Sequence, residues 1–271
     1  MKPTFQFSHF TFHLSPFRFQ YSPFTFHLKK NVWFFSKKTT IAASGILHGA
    51  TDHHSHILPG VDDGVETIDE ALRILATFET MGIKALWLTP HIMEDCPNSP
   101  QKLRARFEEL KAAYNGSVEL HLAAEYMIDN HLRKLLNANE ELLLIGTSGK
   151  HILVETSYYN APIKMRDTLQ QIKSLGYHPL LAHPERYMYL NHAEYVKLHS
   201  EGVKFQLNLT SLAGGYGKVV KKKAEWLLSN GLYSVAGSDL HCEDAIEYIT
   251  NCKLSKQAIE QVNSLLTNRL Q

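Results

Sequence analysis

The chain has 271 residues, 44% hydrophobic and 20% charged, enough for one barrel-sized soluble domain or two small ones. Its formal charge of +1 is uneven, because residues 1–51 hold six basic side chains and no acidic one, leaving 22 basic and 27 acidic residues from Asp52 onward. That acidic body speaks against a nucleic-acid partner, three cysteines (Cys96, Cys242, Cys252) suit a reducing, cytoplasmic setting rather than a disulfide framework, and no apolar run approaches the ~20 residues of a membrane span.

Residues 1–48 read as a Phe-rich basic extension. Thr11-Phe12-His13-Leu14 recurs as Thr25-Phe26-His27-Leu28, and Ser15-Pro16-Phe17 as Ser22-Pro23-Phe24. Prolines interrupt the alternation, and the apolar share is almost all Phe, without the Val, Ile and Leu of a core. No continuous apolar stretch follows the basic start, as a secretory signal would require. The segment is expected to be disordered or non-native, with a membrane-surface or partner-binding arm as the alternative. The domain proper is placed at residues 49–271.

From Gly49 the pattern becomes strand-then-helix. A first strand runs up to His54. Thr67-Ile68-Asp69-Glu70 is a capping box that opens a helix with Ile68, Leu72, Leu75 and Phe78 as its buried stripe, closed by Gly82. Ile83–Leu88 is a buried strand leading into Thr89-Pro90-His91. Ser99-Pro100 starts a second helix, with Leu103, Phe107, Leu110 and Tyr114 on its apolar face. Further strands are expected at Val118–Ala124, His151–Val154, His178–Ala182, Val203–Leu209 and Tyr233–Ala236, with helices near 129–138, 162–175, 191–200, 218–229 and 254–268. This gives an α/β chain of seven β/α units, which at this length favours a closed parallel barrel over an open sheet.

Barrel active sites lie at the C-terminal strand ends, and there the chemistry concentrates. The strands lead in turn into His54-Ser55-His56 with Asp63, into His91, Glu125, Glu155 and His183-Pro184-Glu185-Arg186, and finally into Asp239-Leu240-His241; the sixth offers Asn208 and Thr210 instead. So many imidazoles and carboxylates in one cavity would repel or go unsatisfied without cations. His54 and His56 alternate on an extended segment, so both can reach one ion. Nitrogen and oxygen donors without thiolate suit Mn²⁺, Fe²⁺ or Zn²⁺. A lone strand-end His is ordinarily structural; the coincidence of all of them at one mouth is what argues for metal. The histidines at 121, 131, 151, 178, 192 and 199 lack that placement and are read as structural or surface groups.

The segments Asp52-His53-His54-Ser55-His56-Ile57-Leu58-Pro59-Gly60-Val61-Asp62-Asp63-Gly64, Thr89-Pro90-His91, Ala124-Glu125-Tyr126, Val154-Glu155-Thr156, Ala182-His183-Pro184-Glu185-Arg186-Tyr187 and Ser238-Asp239-Leu240-His241 resemble the bacterial capsule-type tyrosine phosphatases of the polymerase-and-histidinol-phosphatase superfamily, in order, over about residues 49–250. The resemblance implies a distorted seven-unit (β/α) barrel, related to the TIM barrel, and three divalent ions, manganese foremost. It implies His54, His56, Asp63, His91, Glu125, Glu155, His183, Asp239 and His241 as ligands and Arg186 as the phosphate-holding residue. Asp63 or His241 could assist the leaving group. The implied partner is a tyrosine-phosphorylated protein, the C-terminal tail of a tyrosine kinase controlling capsule or exopolysaccharide export. Two departures stand out: His53 fills a position that is usually apolar, and the Phe-rich extension has no counterpart.

A cysteine-based tyrosine phosphatase is excluded, because that chemistry needs Arg six positions after Cys, and Lys102, Tyr248 and Ala258 stand there. The remaining alternatives are a small-metabolite phosphatase, acting on a compound like histidinol phosphate at the same metal site, and a non-catalytic metal-bound interaction protein. Ile92, Met93, Tyr187 and Tyr189 are candidates for an apolar rim around an aromatic substrate.

Overall fold

The structure, a computed structural model, describes residues 38–270. The expectation for the Phe-rich repeats therefore falls outside the described residues. The folded body begins ahead of the boundary expected at residue 48. Strand β1 (Thr39–Thr40) pairs antiparallel with β11 (Lys253–Leu254), and α1 (Ile41–Ser44) follows, capped by the Thr40 hydroxyl. Ile41, Ile46 and Leu47 are buried in the main core. This stretch carries too few residues to show a period of its own.

The next elements are β2 (Thr51–Ser55), α2 (Ile68–Thr80), β3 (Ala85–Leu88), β4 (His91–Ile92), α3 (Pro100–Ala113), β5 (Glu119–Leu122), β6 (Glu125–Met127) and α4 (Asn130–Ala138). They are followed by β7 (His151–Glu155), α5 (Met165–Ser174), β8 (His178–Ala182), a 3₁₀ turn at Pro184–Arg186, α6 (His192–Ser200), β9 (Lys204–Asn208), α7 (Leu209–Ala213) and α8 (Gly217–Ser229). The chain closes with β10 (Val235–Gly237), α9 (Asp244–Thr250), β11 and α10 (Lys256–Thr267). Thr67 and Ser99 cap α2 and α3 through their hydroxyls, as their spacing implies. The buried stripe of α2 is rotated from expectation: Ala71, Ile74, Leu75 and Phe78 are buried, while Ile68 and Leu72 are only partly so.

Two parallel sheets result, β2–β3–β5 and β4–β6–β7–β8–β9–β10. They share two chain runs. Thr89-Pro90 separates β3 from β4, since proline has no N–H for the ladder, and Ala123-Ala124 separates β5 from β6. The segment after β10 bridges back to β2 through Ser55 and Leu240, with the His56 N–H donating to the Leu240 carbonyl at 2.9 Å. The strands thus form a curled parallel sheet in an α/β fold. Its convex face packs on the helices through side chains such as Ile152, Val154, Leu181, Phe205 and Leu207. Alternation sends Leu153, Leu180, Ala182 and Val235 to a separate apolar cluster on the other face. That inner cluster floors the polar groups described next.

Candidate metal centre

The strand ends, β9 apart, bring the candidate ligating side chains to the same mouth. His54 lies near the end of β2 with His56 just beyond it; Asp63 follows in the loop; His91 and Glu125 open β4 and β6; Glu155 closes β7; His183 follows β8; Asp239 and His241 follow β10. The donor atoms fall into three groups, each within 4.8 Å: His56, Asp63, His91 and His241; His54, Glu125, His183 and Asp239; and His91, Glu125 and Glu155. Every residue expected to ligate is in at least one group.

Glu125 is the hub. One carboxylate oxygen lies 3.2 Å from His54 Nε2 and 3.3 Å from both His56 Nε2 and His91 Nδ1; the other lies 3.0 Å from His183 Nε2. Asp239 Oδ1 stands 3.4 Å from His54 Nε2 and 3.5 Å from His56 Nε2. At the outer edge Asp63 reaches His91 at 3.4 Å and His241 at 3.6 Å, with its side chain 72% exposed. His53, at the usually apolar position, turns elsewhere. Its Nδ1 pairs with the Ala236 carbonyl, and its ring lines a cavity of about 480 Å³ with Trp87 and His121.

Groups behind the cluster fix the imidazole rings. Gln206 Oε1 accepts from His54 Nδ1 at 3.0 Å, Asp62 Oδ2 from His56 Nδ1 at 2.8 Å, and the Asp239 carbonyl from His241 Nδ1 at 2.9 Å. With Nδ1 engaged as donor, each ring keeps a lone pair on Nε2 for the centre. Asp62 also accepts from the His91 and Gly64 backbone amides. Gly64 is required there, because a Cβ would lie 2.0 Å from the His56 carbonyl oxygen. His183 and Asp239 hold φ of 32° and 54°, a left-handed conformation that costs non-glycine residues about 1 kcal/mol or more each and concentrates strain at the site.

The electrostatics match a site built for cations. Burial opposes charge on Glu125, but His54, His183 and His56 hold its carboxyl well below the usual range. Burial, joined by the nearby Glu125 and Asp239 charges, pushes Glu155 well above it. Asp62 falls to about 2, because His56 and the His91 amide outweigh its burial. Burial and the His56 charge bring His91 down to about 4. Burial opposes charge on His56 also, but its hydrogen bond to Asp62 and the adjacent Glu125 carboxylate raise it well above the ordinary value. Protons thus sit between carboxylates where metal ions would displace them. His91 Nδ1, Glu125 Oε2, Glu155 Oε1 and His183 Nδ1 are buried without a hydrogen-bond partner. His91 Nδ1 lies 3.3 Å from Glu125 Oε2 and 3.2 Å from Glu155 Oε1 without bonding geometry. Such orphaned donors are costly unless something between them is bound, so the residues fit divalent metal.

Arg186 ends the 3₁₀ turn at the edge of the cluster. Its Nη1 donates to Asp239 Oδ2 at 2.8 Å, and Asn208 Nδ2 donates to the same oxygen at 2.7 Å. The Arg186 Cζ lies 4.1 Å from the ring centroid of Tyr158 and 4.1 Å from that of Tyr216. Spacing alone missed Asp62, Gln206, Tyr158 and Tyr216. The sixth strand end contributes after all, through Asn208. The apolar rim is corrected: Ile92 and Tyr187 are buried, and the Tyr187 hydroxyl donates to the Ala182 carbonyl while accepting from the Thr156 amide.

Comparison with known proteins bears on the family and the fold. The model of the capsular polysaccharide synthesis family CpsB/CapC matches residues 50–262. A putative tyrosine-protein phosphatase, CapC of Staphylococcus aureus, is 26% identical over 230 residues, covering 80% of this chain and 88% of its own. Tyrosine-protein phosphatase YwqE of Bacillus subtilis is 28% identical over 196 residues, 70% of this chain and 76% of its own. Among solved structures, one from work on YwqE of Bacillus subtilis and CpsB of Streptococcus pneumoniae, described as metal-dependent tyrosine phosphatases, superposes with a TM-score of 0.67 at 24% identity, covering 81% of this chain and 97% of that one. That likeness supports the fold.

Proposed function

The chain belongs to the capsular polysaccharide synthesis family CpsB/CapC, and from that premise we propose that it is a metal-dependent protein-tyrosine phosphatase acting on a kinase that controls capsule or exopolysaccharide synthesis. The observation that carries the proposal is the union of nine His, Asp and Glu side chains in one orphan-rich cluster with a mostly buried arginine beside it. His54, His56, Asp63, His91, Glu125, Glu155, His183, Asp239 and His241 are the proposed ligands. Their three groups would suit three ions, with Mn²⁺ preferred and Fe²⁺ or Zn²⁺ as alternatives. Counting β3 with β4 and β5 with β6 as interrupted strands, we read the sheet as a distorted seven-unit (β/α) barrel.

Bound divalent ions would bring the pKa of a water towards neutrality and offset charge on the phosphoryl oxygens. The protein's own residues supply the rest. Arg186 presents guanidinium N–H groups beside Asp239, where a phosphate can be gripped by a planar fork. Gln206 and Asp62 keep the imidazoles aimed inward. Asp63 and His241, at the exposed edge, are the groups nearest to an outgoing phenolate. We propose a phosphotyrosine-bearing segment of the kinase, its C-terminal tail, as substrate. A reducing, cytoplasmic setting would preserve the free thiols of Cys96, Cys242 and Cys252.

Hydrolysis of p-nitrophenyl phosphate tests the reading. Chelation should abolish it, Mn²⁺ should restore it, and thiol alkylation should leave it nearly unchanged. Indifference to chelators combined with loss on alkylation would overturn metal-dependent catalysis.

A further inference from the structure

We propose that Tyr158 and Tyr216 are positioning residues that clamp the Arg186 guanidinium from both faces, turning it into a rigid, edge-directed phosphate fork. The proposal rests on the phosphatase reading and assigns two residues that neither spacing nor the strand-end pattern singles out.

The geometry is symmetrical. Cζ of Arg186 lies 4.1 Å from each ring centroid. Tyr158 reaches it from the loop after β7 and Tyr216 from the turn between α7 and α8, so two separate segments converge on one side chain. A guanidinium covered on both faces can bond only in its own plane, along its edge. Of its N–H groups, one from Nη1 is committed to Asp239 Oδ2 at 2.8 Å. That pair, with the rings, fixes both the plane and the rotation about it. The remaining edge is left for an anion, in a side chain only 14% exposed.

The rings also address an energetic problem. A mostly buried guanidinium loses hydration and would otherwise fold back wholly onto Asp239, which is needed at the cluster. Two aromatic faces stabilise the cation without using any of its donors. Tyr158 is itself held in place, stacked on Tyr187 at 6.4 Å with an interplanar angle of 19°. Tyr216 is 38% exposed, so its ring is not there to fill a core. Hydroxyl chemistry is not required of either residue: what matters is the ring.

The test compares Tyr158→Leu, Tyr216→Leu and the corresponding Phe variants in the Mn²⁺-loaded full chain. Two readouts are taken: binding of inorganic phosphate by calorimetry, and kcat and KM for p-nitrophenyl phosphate. Each Leu variant should bind phosphate about 10-fold more weakly, within the range of a desolvated cation–π contact. The loss should appear mainly as a raised KM, with metal content and melting temperature kept. Phe, which preserves the ring, should recover most of the loss. Leu variants that bind phosphate like the wild type, or Phe variants as impaired as Leu, overturn the clamp. A wild type that turns over substrate while its Leu variants match it sinks the clamp alone; a wild type that neither binds phosphate nor hydrolyses it sinks the phosphatase reading with it.

Discussion

Asp62 stands one step behind the cluster, and its value lies in what it holds. Its carboxylate carries the His56 ring and the His91 amide, so Asp62→Ala should weaken metal binding by roughly 10- to 100-fold, the usual effect of losing such a partner. Metal titration measured against chelator would show it; unchanged affinity would make Asp62 a turn residue only. Arg186→Ala should lose about 10²-fold or more in rate, the scale of one preorganised donor, with metal retained, and loss of metal or folding instead would make the residue structural. Glu185 makes a pH prediction. It is enclosed, and burial pushes it up to about 7 against hydrogen bonds from Tyr233 and the Asn208 amide. The folded protein therefore keeps a proton that the unfolded chain has released above the ordinary carboxyl value of 4.5. Stability from this group is full below that value and declines as pH rises towards about 7. Glu185→Gln should flatten the decline, gaining on the wild type at pH 8 relative to pH 5 in urea midpoints; parallel shifts at both would refute it. At this scale the side chains that gather in the cluster were legible, because strand ends announce themselves in sequence. Asp62 was not: nothing in Val61-Asp62-Asp63-Gly64 says which carboxylate faces an ion and which supports a ring. Tyr158 and Tyr216 act through a stacking partner far away in the chain, which leaves no periodic trace.

At the scale of elements, long units with clear caps were readable, and short ones that live by tertiary contact were not. The strand His178–Ala182 is as expected, and α3 carries its expected buried residues Leu103, Phe107 and Leu110. In contrast α7 was not expected, and the strand before it was carried one residue too far, to Leu209, because Asn208 ends β9 and caps the helix in one position, its side chain accepting from Thr210 and Ser211. Helix α9 spans seven residues without a side-chain cap, too short for a period to show. The β1–α1 segment is the most consequential of these omissions. It adds Ile41, Ile46 and Leu47 to the core and joins Thr39-Thr40 to Lys253-Leu254. Burying each large aliphatic side chain is worth about 1.5–3 kcal/mol. A chain starting at Gly49 should therefore lose several kcal/mol and melt markedly lower, whereas one starting at Asn31 should melt and hydrolyse like the full chain. Equal melting of all three would mean that the segment contributes little.

For the whole molecule, the question is which phosphate ester the mouth is built for. A phenolic leaving group, with a pKa near ~10, departs more readily than an alkyl alkoxide and depends less on a proton donor. The candidate donors here are poor ones. Burial and the neighbouring His56 charge keep His241 below its ordinary value, so its ring is neutral rather than acidic at neutral pH. Asp63 is largely exposed, 3.4 Å from His91 and 3.6 Å from His241. The body from Asp52 onward is acidic, yet Arg186 brings a fixed positive charge to the place where the phosphoryl group would sit. A site of this kind should favour aryl over alkyl phosphates. We expect kcat/KM for a tyrosine-phosphorylated kinase-tail peptide to exceed that for the matching phosphoserine peptide by about 10²-fold or more, the contribution a missing general acid withholds from the alkyl ester. Histidinol phosphate, also an alkyl ester, should fall with phosphoserine. Equal rates for the two peptides would show that a proton donor operates after all. A clear preference for histidinol phosphate would transfer the same metal chemistry to a small metabolite and leave the kinase tail without a role.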